Sequence, residues 1–358
     1  MKNEQPVLVV LTPGFPKDEE DSACLPPIQS FVKALHVEPG PLNVIVLTFD
    51  YPFFKGIYYW NGIRVDAFNG WQKGRISKLF KWIKIWRTLK KIKKENNLIG
   101  LLSLWCGECA FVADKFSKKN NVQHFCWILG QDAKKGNRYV SRILPQPNTL
   151  VAISDFIQAE FERNYEIRPQ HVIPIGIDPN EFLEPNAFRD IDVLGAGSLI
   201  PLKQYDHFVE VVAALKEDFP DIKVMICGKG PEEKRLLALI SKYQLEDNIT
   251  LAGELPHREV LQRMSRSKLF LHTSNYEGFG VVCIEALYAG CAVVSFLQPM
   301  QQSIENWHAV QTKKEMIERL KAALSTPDVD RKPVLFMNIT ATAKNIMQLY
   351  NYNETMIS

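Results

Sequence analysis

Two glutamates, Glu277 and Glu285, lie on either side of a glycine-containing turn that follows an apolar run and opens a predicted helix. Gly278 and Gly280 allow a ligand to approach the backbone closely, because glycine has no Cβ. The amides at a helix start carry the positive end of the helix dipole, which suits a diphosphate. A carboxylate also accepts hydrogen bonds from a vicinal diol, such as a ribose or a hexose offers. The pattern predicts a nucleotide or sugar site, and the alternative is an ordinary turn with two solvated glutamates.

A lysine follows the first predicted strand of the second half of the chain. Lys203 stands shortly after Gly195 and Gly197 and is predicted to begin a helix. Its ammonium group can bind a phosphate as a compact point charge. The start of a helix is otherwise an unfavourable place for a cation, which favours a phosphate contact over a solvated surface lysine. Ile200 replaces the third glycine of a Gly-x-Gly-x-x-Gly fingerprint, so a dinucleotide cofactor is not indicated.

Short apolar runs alternate with amphipathic segments along both halves of the chain, which predicts an α/β fold with parallel sheets covered by helices. A chain of 358 residues is long enough for two such cores. We predict Rossmann-like domains over residues 1–180 and 190–333, with a linker at 177–189. Ligands of open α/β sheets bind beyond the carboxyl ends of the strands, so the loops there are the places to seek function.

The predicted elements follow from these apolar and amphipathic patterns. Strands are expected at residues 7–12, 44–48, 98–104, 125–129, 150–153, 191–197, 222–227, 249–252, 269–273 and 292–296. Helices are expected at residues 27–36, 108–116, 203–217, 232–243, 257–265, 279–289 and 334–350.

The overall composition is that of a globular protein, with 46% hydrophobic and 23% charged residues. A net charge of +3 is too small to indicate a nucleic-acid partner. Of the seven cysteines only Cys106 and Cys109 are close, and no second pair or His partner lies at zinc-finger spacing, which favours a reducing cytoplasm. The apolar run near the N-terminus is expected to be a strand rather than a signal peptide, and no apolar stretch reaches the length of about 18–20 residues of a membrane span.

Five segments of the second half together resemble retaining GT-B glycosyltransferases, most closely glycosyltransferase family 4, also called group 1. They are residues 197–203, 227–231, 251–255, 274–280 and the pair Glu277/Glu285. The resemblance implies two domains that face a central cleft and a C-terminal helix, within residues 334–355, that crosses back to the N-terminal domain. It also implies a nucleotide-sugar donor and no separate cofactor.

Residue roles follow from the same resemblance. Glu285 is expected to bind the donor ribose, and Glu277 is expected beside the donor sugar. Lys203 and the amides of residues 278–281 are expected to hold the diphosphate, and the loop at 252–255 lies beside the nucleobase in the family. The full expected donor set is Gly197, Ser198, Lys203, Gly228, Lys229, Gly253, Leu255, Gly278, Phe279, Gly280, Val281 and Glu285.

The first half resembles the family more loosely. Asp132 follows a predicted strand and matches the position of a residue near the reacting sugar, so it joins Glu277 and Lys203 as a catalytic candidate. A helix-capping or loop aspartate is the alternative. Gly14 and Phe15 are the other acceptor-side candidates, although residues 13–16 replace the Gly-Gly turn that is usual there. The family's Gly-rich loop is likewise replaced at residues 296–300, which leaves the donor sugar open.

The expected reaction moves a sugar from a nucleotide diphosphate sugar to a glycan or lipid-linked acceptor, with retention at the anomeric carbon, in cell-surface polysaccharide synthesis. Backbone amides at 278–281 and Lys203 can bind the diphosphate without a metal ion, so we expect a metal-independent enzyme. Two alternatives stay open: a sugar-nucleotide epimerase on the same fold, and a catalytically silent binding subunit.

A basic segment at residues 73–94 predicts contact with an anionic membrane surface. It contains ten Lys or Arg residues and no acid. Basic residues recur at steps of three or four, beside a face that includes Trp82 and Trp86, which is the pattern of an interfacial helix. A helix that covers a sheet and exposes its charges is the alternative. We therefore expect a cytoplasmic protein with peripheral contact at the inner face of the membrane.

Overall fold

The chain folds into two α/β units in a computed structural model that describes residues 3–37, 42–70, 74–183, 188–326 and 332–352. One unit comprises Met1–Gly176 together with Ile339–Ser358, and the other comprises Ile177–Asn338. The segment expected to be a linker, 177–189, is thus grouped with the second unit. Parts of three predicted segments lie outside the described residues: 184–187 of the linker, residue 73 of the basic segment, and 353–355 of the C-terminal segment.

The sheet of the first unit has eight strands in the order β3-β4-β2-β1-β5-β6-β7-β8. Its strands are β1 (Asn3–Gly14), β2 (Asn43–Tyr51), β3 (Lys55–Trp60), β4 (Ile63–Phe68), β5 (Asn96–Leu104), β6 (His124–Ile128), β7 (Leu150–Ala152) and β8 (His171–Val172). All neighbours pair in parallel except β3, which runs antiparallel to β4. The strand order reverses between β1 and β5, which makes that point the topological switch of the sheet.

The helices of the first unit are α1 (Pro26–Val37), α2 (Arg75–Glu95), α3 (Glu108–Asn120), α4 (Arg138–Ile143), α5 (Asp155–Tyr165) and the last helix of the chain, α11 (Ile339–Gln348). Residues on α2 and α3 pack with β1, β2 and β5 into one apolar core. After α11, the Tyr350 hydroxyl donates a hydrogen bond to the Leu101 carbonyl over 2.7 Å. The ring of Tyr350 lies where a Cβ on Gly100 would stand, so this position of the strand accepts only glycine.

The second unit contains a six-stranded parallel sheet in the order β11-β10-β9-β12-β13-β14. Its strands are β9 (Ile191–Ala196), β10 (Val224–Cys227), β11 (Ile249–Gly253), β12 (Ser267–His272), β13 (Ala292–Ser295) and β14 (Trp307–Ala309). Its helices are α6 (Tyr205–Lys216), α7 (Glu233–Lys242), α8 (His257–Ser265), α9 (Val281–Tyr288) and α10 (Lys313–Ser325). Numbered within the unit, this is the Rossmann order 3-2-1-4-5-6, and its switch point lies between β9 and β12.

Helix α2 does not expose the whole of the basic face that the sequence predicts. Lys81 is largely buried and pairs with Asp50 over 2.7 Å and with Glu108 over 3.0 Å. Lys78 also pairs with Glu108, over 2.6 Å. Lys78 and Lys81 therefore bind the helix to α3, and Lys81 also binds it to β2. The acids that neutralise them come from β2 and α3, which a pattern read within the helix does not include.

No helix within the described ranges combines the length and the apolar character needed to cross a membrane.

Candidate functional site

The loops that follow β9 and β12 meet at the switch point of the second sheet. The Asn275 amide donates to the Leu202 carbonyl over 3.2 Å, and the Thr273 hydroxyl donates to the Lys203 carbonyl over 2.9 Å. The Ser274 hydroxyl also donates to the Leu202 carbonyl, over 3.2 Å. These bonds fix the two loops against each other, so the glycine turn and the lysine predicted separately from the sequence share one site.

Lys203 does not begin a helix as predicted. It ends a 3-10 turn, Pro201–Lys203, and Gln204 then adopts a left-handed backbone with φ 48° before α6 begins at Tyr205. The turn directs the lysine across the switch point, where its Nζ forms an ion pair with Glu277 Oε1. The two side chains are only 19% and 18% exposed. The dipole of α6 therefore does not explain the position of Lys203.

Glu277 is held by two further residues. The Ser274 hydroxyl donates to Oε1 over 2.8 Å, and Nε2 of the buried His272 lies 3.5 Å from the same oxygen. Burial raises the pKa of Glu277, but the neighbouring His272 and Lys203 outweigh it and lower the pKa from 4.5 to about 2. The carboxylate is thus charged throughout the neutral range. His272 was not predicted from the sequence, because its only signal is its place at the end of an apolar strand.

The predicted phosphate-binding turn leads into α9. Gly280 has φ 80°, and a Cβ there would lie 2.7 Å from Leu297 Cδ2. The ring of Phe279 is buried against Phe336 and Trp307 with centroid separations of 5.5 and 6.4 Å. The Phe279 side chain therefore anchors the turn, and only its backbone could meet a ligand. The amides of the first turn of α9, beginning with Val281, have no acceptor four residues earlier within the helix.

Glu285 lies on α9 one turn beyond this start and is buried. Its Oε1 is 2.9 Å from Nε2 of His257, the first residue of α8. The other ring nitrogen, Nδ1, is 3.8 Å from Oε2 of Glu181. Neither His257 nor Glu181 was predicted as a site residue, because they lie far from the glutamate pair in sequence and match no motif.

The remaining predicted donor residues form three neighbouring loops. The Gly228 amide donates to the Gly253 carbonyl over 2.7 Å, and the Leu199 amide donates to the Lys229 carbonyl over 3.0 Å. A Cβ on Gly228 would overlap the Gly197 carbonyl oxygen, so the loops touch backbone to backbone. The side chains of Ser198 and Lys229 are exposed and that of Leu255 is half-buried.

Asp132 lies in the first unit, in the 3-10 turn Gln131–Ala133 after β6. Its Oδ2 accepts from the Cys106 amide over 2.7 Å, and its Oδ1 accepts from the Gly130 amide over 2.8 Å. Burial raises its pKa to about 6, although these amides act in the opposite direction. The carboxylate joins the loops after β5 and β6, and its expected contact with sugar or acceptor stays a prediction.

Gly14 is the last residue of β1, at the switch point of the first sheet, and Phe15 follows it. Gly14 pairs with Tyr51 of β2. The ring of Phe15 is fully buried and packs edge-on against Trp60 with a centroid separation of 4.9 Å. The Phe15 ring therefore packs inside the unit, and the acceptor-side role of Gly14 and Phe15 stays a prediction.

Within the described ranges, no group of three or more His, Cys, Asp or Glu residues is placed to hold a metal ion. All seven cysteines are free thiols, and six of them are buried.

Residues 181–329 match a family model whose description is glycosyl transferases group 1. A 164-residue segment is 29% identical to a protein of Homo sapiens named as one of the subunits of phosphatidylinositol N-acetylglucosaminyltransferase, and covers 44% of this chain and 34% of that protein. A 154-residue segment is 31% identical to N-acetylgalactosamine-N,N'-diacetylbacillosaminyl-diphospho-undecaprenol 4-alpha-N-acetylgalactosaminyltransferase of Campylobacter jejuni, and covers 41% of this chain and 40% of that protein. The chain therefore spans less than half the length of either relative.

The fold is shared along nearly the whole chain with solved structures. The crystal structure of a glycosyltransferase from Rickettsia africae superposes with a TM-score of 0.71 at 16% identity, over 99% of this chain and 100% of that one. The two parallel sheets and their helices thus form a GT-B fold, as the sequence resemblance predicted.

Proposed function

We propose that this chain, whose residues 181–329 match the family model of the group 1 glycosyltransferases, is a retaining glycosyltransferase. It moves a sugar from a nucleotide diphosphate sugar to a glycan or lipid-linked acceptor in the synthesis of a cell-surface polysaccharide. The relatives' names support this proposal, because the human protein is named for N-acetylglucosamine transfer and the Campylobacter protein for transfer to a diphospho-undecaprenol-linked sugar.

One observation carries the proposal: the ion pair between Lys203 and Glu277 at the β9–β12 switch point, beside the start of α9. A cation and a row of helix-start amides suit the two phosphates of a donor. Glu277, whose side chain is 18% exposed, and the buried Glu285 supply carboxylates for sugar and ribose hydroxyls. A nucleoside diphosphate sugar combines these chemical groups in one molecule.

In the proposed reaction, the acceptor oxygen bonds to the anomeric carbon while the bond from that carbon to the diphosphate oxygen breaks. The acceptor proton passes to the departing diphosphate. Negative charge grows on that leaving group, and pre-positioned donors such as Lys203 and the amides of α9 stabilise it. Diphosphate binding draws the Lys203 ammonium toward phosphate, which frees Glu277 for the donor sugar. Retention of configuration is supported by the resemblance to retaining enzymes.

A donor screen tests this function. The purified chain is incubated with UDP-, GDP- and ADP-linked sugars, and the nucleoside diphosphate released is measured together with the NMR spectrum of the sugar product. We expect release from one nucleotide class, with the anomeric configuration of the donor retained. A sugar inverted at C2 would indicate the epimerase instead, and no turnover of any donor would indicate a silent subunit.

A variant comparison ties the activity to the site. Lys203→Ala should lower kcat more than it raises KM, because its charge acts on the developing leaving group. Lys313→Ala is the matched control, because Lys313 pairs with Glu210 on the surface of the same unit. Equal effects of the two substitutions would contradict the assignment of Lys203.

We further propose that the first unit contacts an anionic lipid surface through the outward face of α2. The first half of this face is apolar: Ile76, Leu79, Phe80 and Ile83 are 74%, 56%, 62% and 39% exposed. The second half is basic, because Lys84, Arg87, Lys91 and Lys94 are exposed. The inner side packs with the core through Ile85, Leu89 and Ile92.

This division suits one occupant, a lipid surface with acidic headgroups. Exposed apolar side chains at steps of three and four can enter the interfacial layer, while neighbouring lysines meet the headgroups. Each basic residue near such a surface adds about 1 kcal/mol of attraction. The apolar and basic residues thus occupy successive halves of the helix along its axis, whereas the sequence predicted two neighbouring faces that run the length of the helix.

Cosedimentation with phosphatidylglycerol vesicles at low and high salt tests the surface, with phosphatidylcholine vesicles as reference. Leu79→Glu/Phe80→Glu should reduce binding at both salt concentrations, whereas Arg87→Glu/Lys91→Glu should reduce it mainly at low salt. Lys314→Glu, on an exposed lysine of the second unit, is the control. If both double variants bind vesicles as the control does, the proposed lipid contact is contradicted and α2 serves only to cover the sheet.

A further inference from the structure

His257 lies between two carboxylates of the second unit. Its Nε2 is 2.9 Å from Glu285 Oε1, and its Nδ1 is 3.8 Å from Glu181 Oε2. The histidine begins α8, directly after the loop at 254–256 that follows β11. Glu181 ends the 3-10 turn Pro179–Glu181, and Glu285 belongs to α9. Three segments distant in sequence therefore meet at one imidazole ring.

The protonation state of the ring decides how many carboxylates it can satisfy. A neutral imidazole has one N–H and one lone pair, so one of the two carboxylates would face a lone pair. An imidazolium has an N–H on each nitrogen and directs one toward each carboxylate. The geometry therefore favours the doubly protonated ring.

The charges around the ring act in the same direction. Burial lowers the pKa of His257, but the hydrogen bond and charge of Glu285 and the charge of Glu181 outweigh it, so the pKa is raised above its usual value of 6.5. On α8 itself, the next two residues after His257 are Arg258 and Glu259, whose charges are opposite. The neighbouring strands β9 and β12 carry Asp192 and Lys268, which pair with each other over 2.8 Å.

We propose that His257 is a positioning residue for the donor: as an imidazolium it holds Oε1 of Glu285 and leaves Oε2 for the ribose hydroxyls, and Glu181 keeps it protonated. This inference rests on the proposed function, because it takes the ligand of Glu285 to be the ribose of a nucleotide sugar. Glu181 contacts no donor atom in this scheme and acts only through the histidine.

Donor affinity then depends on pH with a defined sign. An anionic donor beside the ring favours the imidazolium, so binding is tight below the pKa of His257 and weakens as the pH rises through it. Removing the Glu181 charge lowers that pKa and moves the loss of affinity to lower pH. A purely structural role for Glu181 would change affinity without moving its dependence on pH.

Two measurements test the inference on the full chain. The first is an NMR titration of the histidine ring protons, in which His257 is assigned by the signal that disappears in His257→Gln. Glu181→Gln should lower the titration midpoint of His257 by about half a pH unit or more. Glu210→Gln, which removes a surface carboxylate paired with Lys313, is the matched control and should leave the midpoint unchanged.

The second is calorimetric affinity for UDP-N-acetylglucosamine between about pH 5.5 and about pH 9, the range in which a histidine titrates. The probe is a nucleotide sugar rather than free UDP, because the diphosphate of a nucleotide sugar has no terminal phosphate that titrates in this pH range. The wild type should bind less tightly as pH rises, with the midpoint lower in Glu181→Gln. In His257→Gln, the glutamine amide can still donate a hydrogen bond but carries no charge. This variant should therefore bind the nucleotide sugar about tenfold more weakly at low pH, and its affinity should not depend on pH.

The outcomes separate this inference from the proposed function. Binding of the donor with the same pH profile in wild type and His257→Gln would overturn the role of His257 alone. An unchanged NMR midpoint in Glu181→Gln would overturn the role of Glu181, whatever the donor. A wild-type protein that binds no nucleotide sugar, with its His257 still titrating as described, would contradict the proposed function and the positioning role together.

Discussion

The ion pair between Lys203 and Glu277 should be strongly coupled, and a double-mutant cycle measures that coupling. Lys203→Met and Glu277→Gln each remove one charge and leave the other at the switch point without its partner. Because both side chains are less than one-fifth exposed, solvent screens the remaining charge only weakly. The double variant removes both charges, so it should be less destabilised than the sum of the single variants.

The pKa of Glu277 sets the size of the effect. A shift from 4.5 to about 2 corresponds to about 3 kcal/mol of stabilisation at neutral pH, and part of it comes from His272 as well as Lys203. The sign follows from linkage: a lowered carboxylate pKa stabilises the fold above the unfolded value of 4.5, and this contribution is lost as pH falls toward about 2. We therefore expect a coupling energy of about 2–3 kcal/mol at pH near 7.

Chemical denaturation of the four proteins gives the coupling energy. The matched control is the cycle of Lys313→Met and Glu210→Gln, whose side chains are 45% and 35% exposed and whose coupling should stay below about 1 kcal/mol. Equal coupling in the two cycles would refute the account of a desolvated pair at the switch point.

Three further predictions concern the glycine turn, the buried aspartate and metals. Gly280→Ala should lower the free energy of unfolding by about 1–3 kcal/mol, because φ is 80° and its Cβ would crowd Leu297; an unchanged unfolding midpoint would count against this. Asp132 has a pKa raised to about 6 by burial, so the stability it contributes is present below its usual value of 3.8 and lost as pH rises toward 6. The stability of wild type relative to Asp132→Asn should accordingly fall over that range, and a constant difference would contradict the assignment. Glycosyl transfer should survive exhaustive chelation, since the groups proposed to bind the diphosphate are amides and an ammonium. Loss of activity on chelation that Mg²⁺ or Mn²⁺ restores would contradict this prediction.

Local sequence patterns predicted the parallel core of both sheets. β9 and β12 are short apolar runs bounded by turns, and helix α8 was predicted with the bounds observed, His257–Ser265. The hairpin of β3 and β4 was missed, because Arg64 and Asp66 interrupt the apolar residues of β4 and the outer strand β3 exposes Ile57 and Tyr59. Such a strand is recognised by its pairing with β4, which a window of sequence does not contain.

The candidate site shows the same limit. Lys203 and Glu277 were predicted from glycine turns and resemblance, and the structure pairs them. His257 and Glu181 were missed, because their relation to Glu285 arises from three segments that only the tertiary fold brings together. Lys81 was assigned to the basic face predicted to contact a membrane, and its partners were missed for the same reason, since Asp50 and Glu108 belong to other elements. Local patterns predict which residues can do chemistry, and long-range contacts decide which of them meet.

Calorimetric titration of nucleotide sugars into wild type and Glu285→Ala tests the central claim, that the second unit binds a nucleotide diphosphate sugar at its switch point. A buried charged hydrogen bond contributes about 1.5–3 kcal/mol, so the substitution should weaken binding by about 10- to 150-fold. Glu318→Ala, on an exposed residue of α10, serves as control. The account predicts one class of nucleotide sugar that wild type and control bind alike and Glu285→Ala binds at least about tenfold less tightly. Equal affinity of Glu285→Ala and wild type for that donor would contradict it.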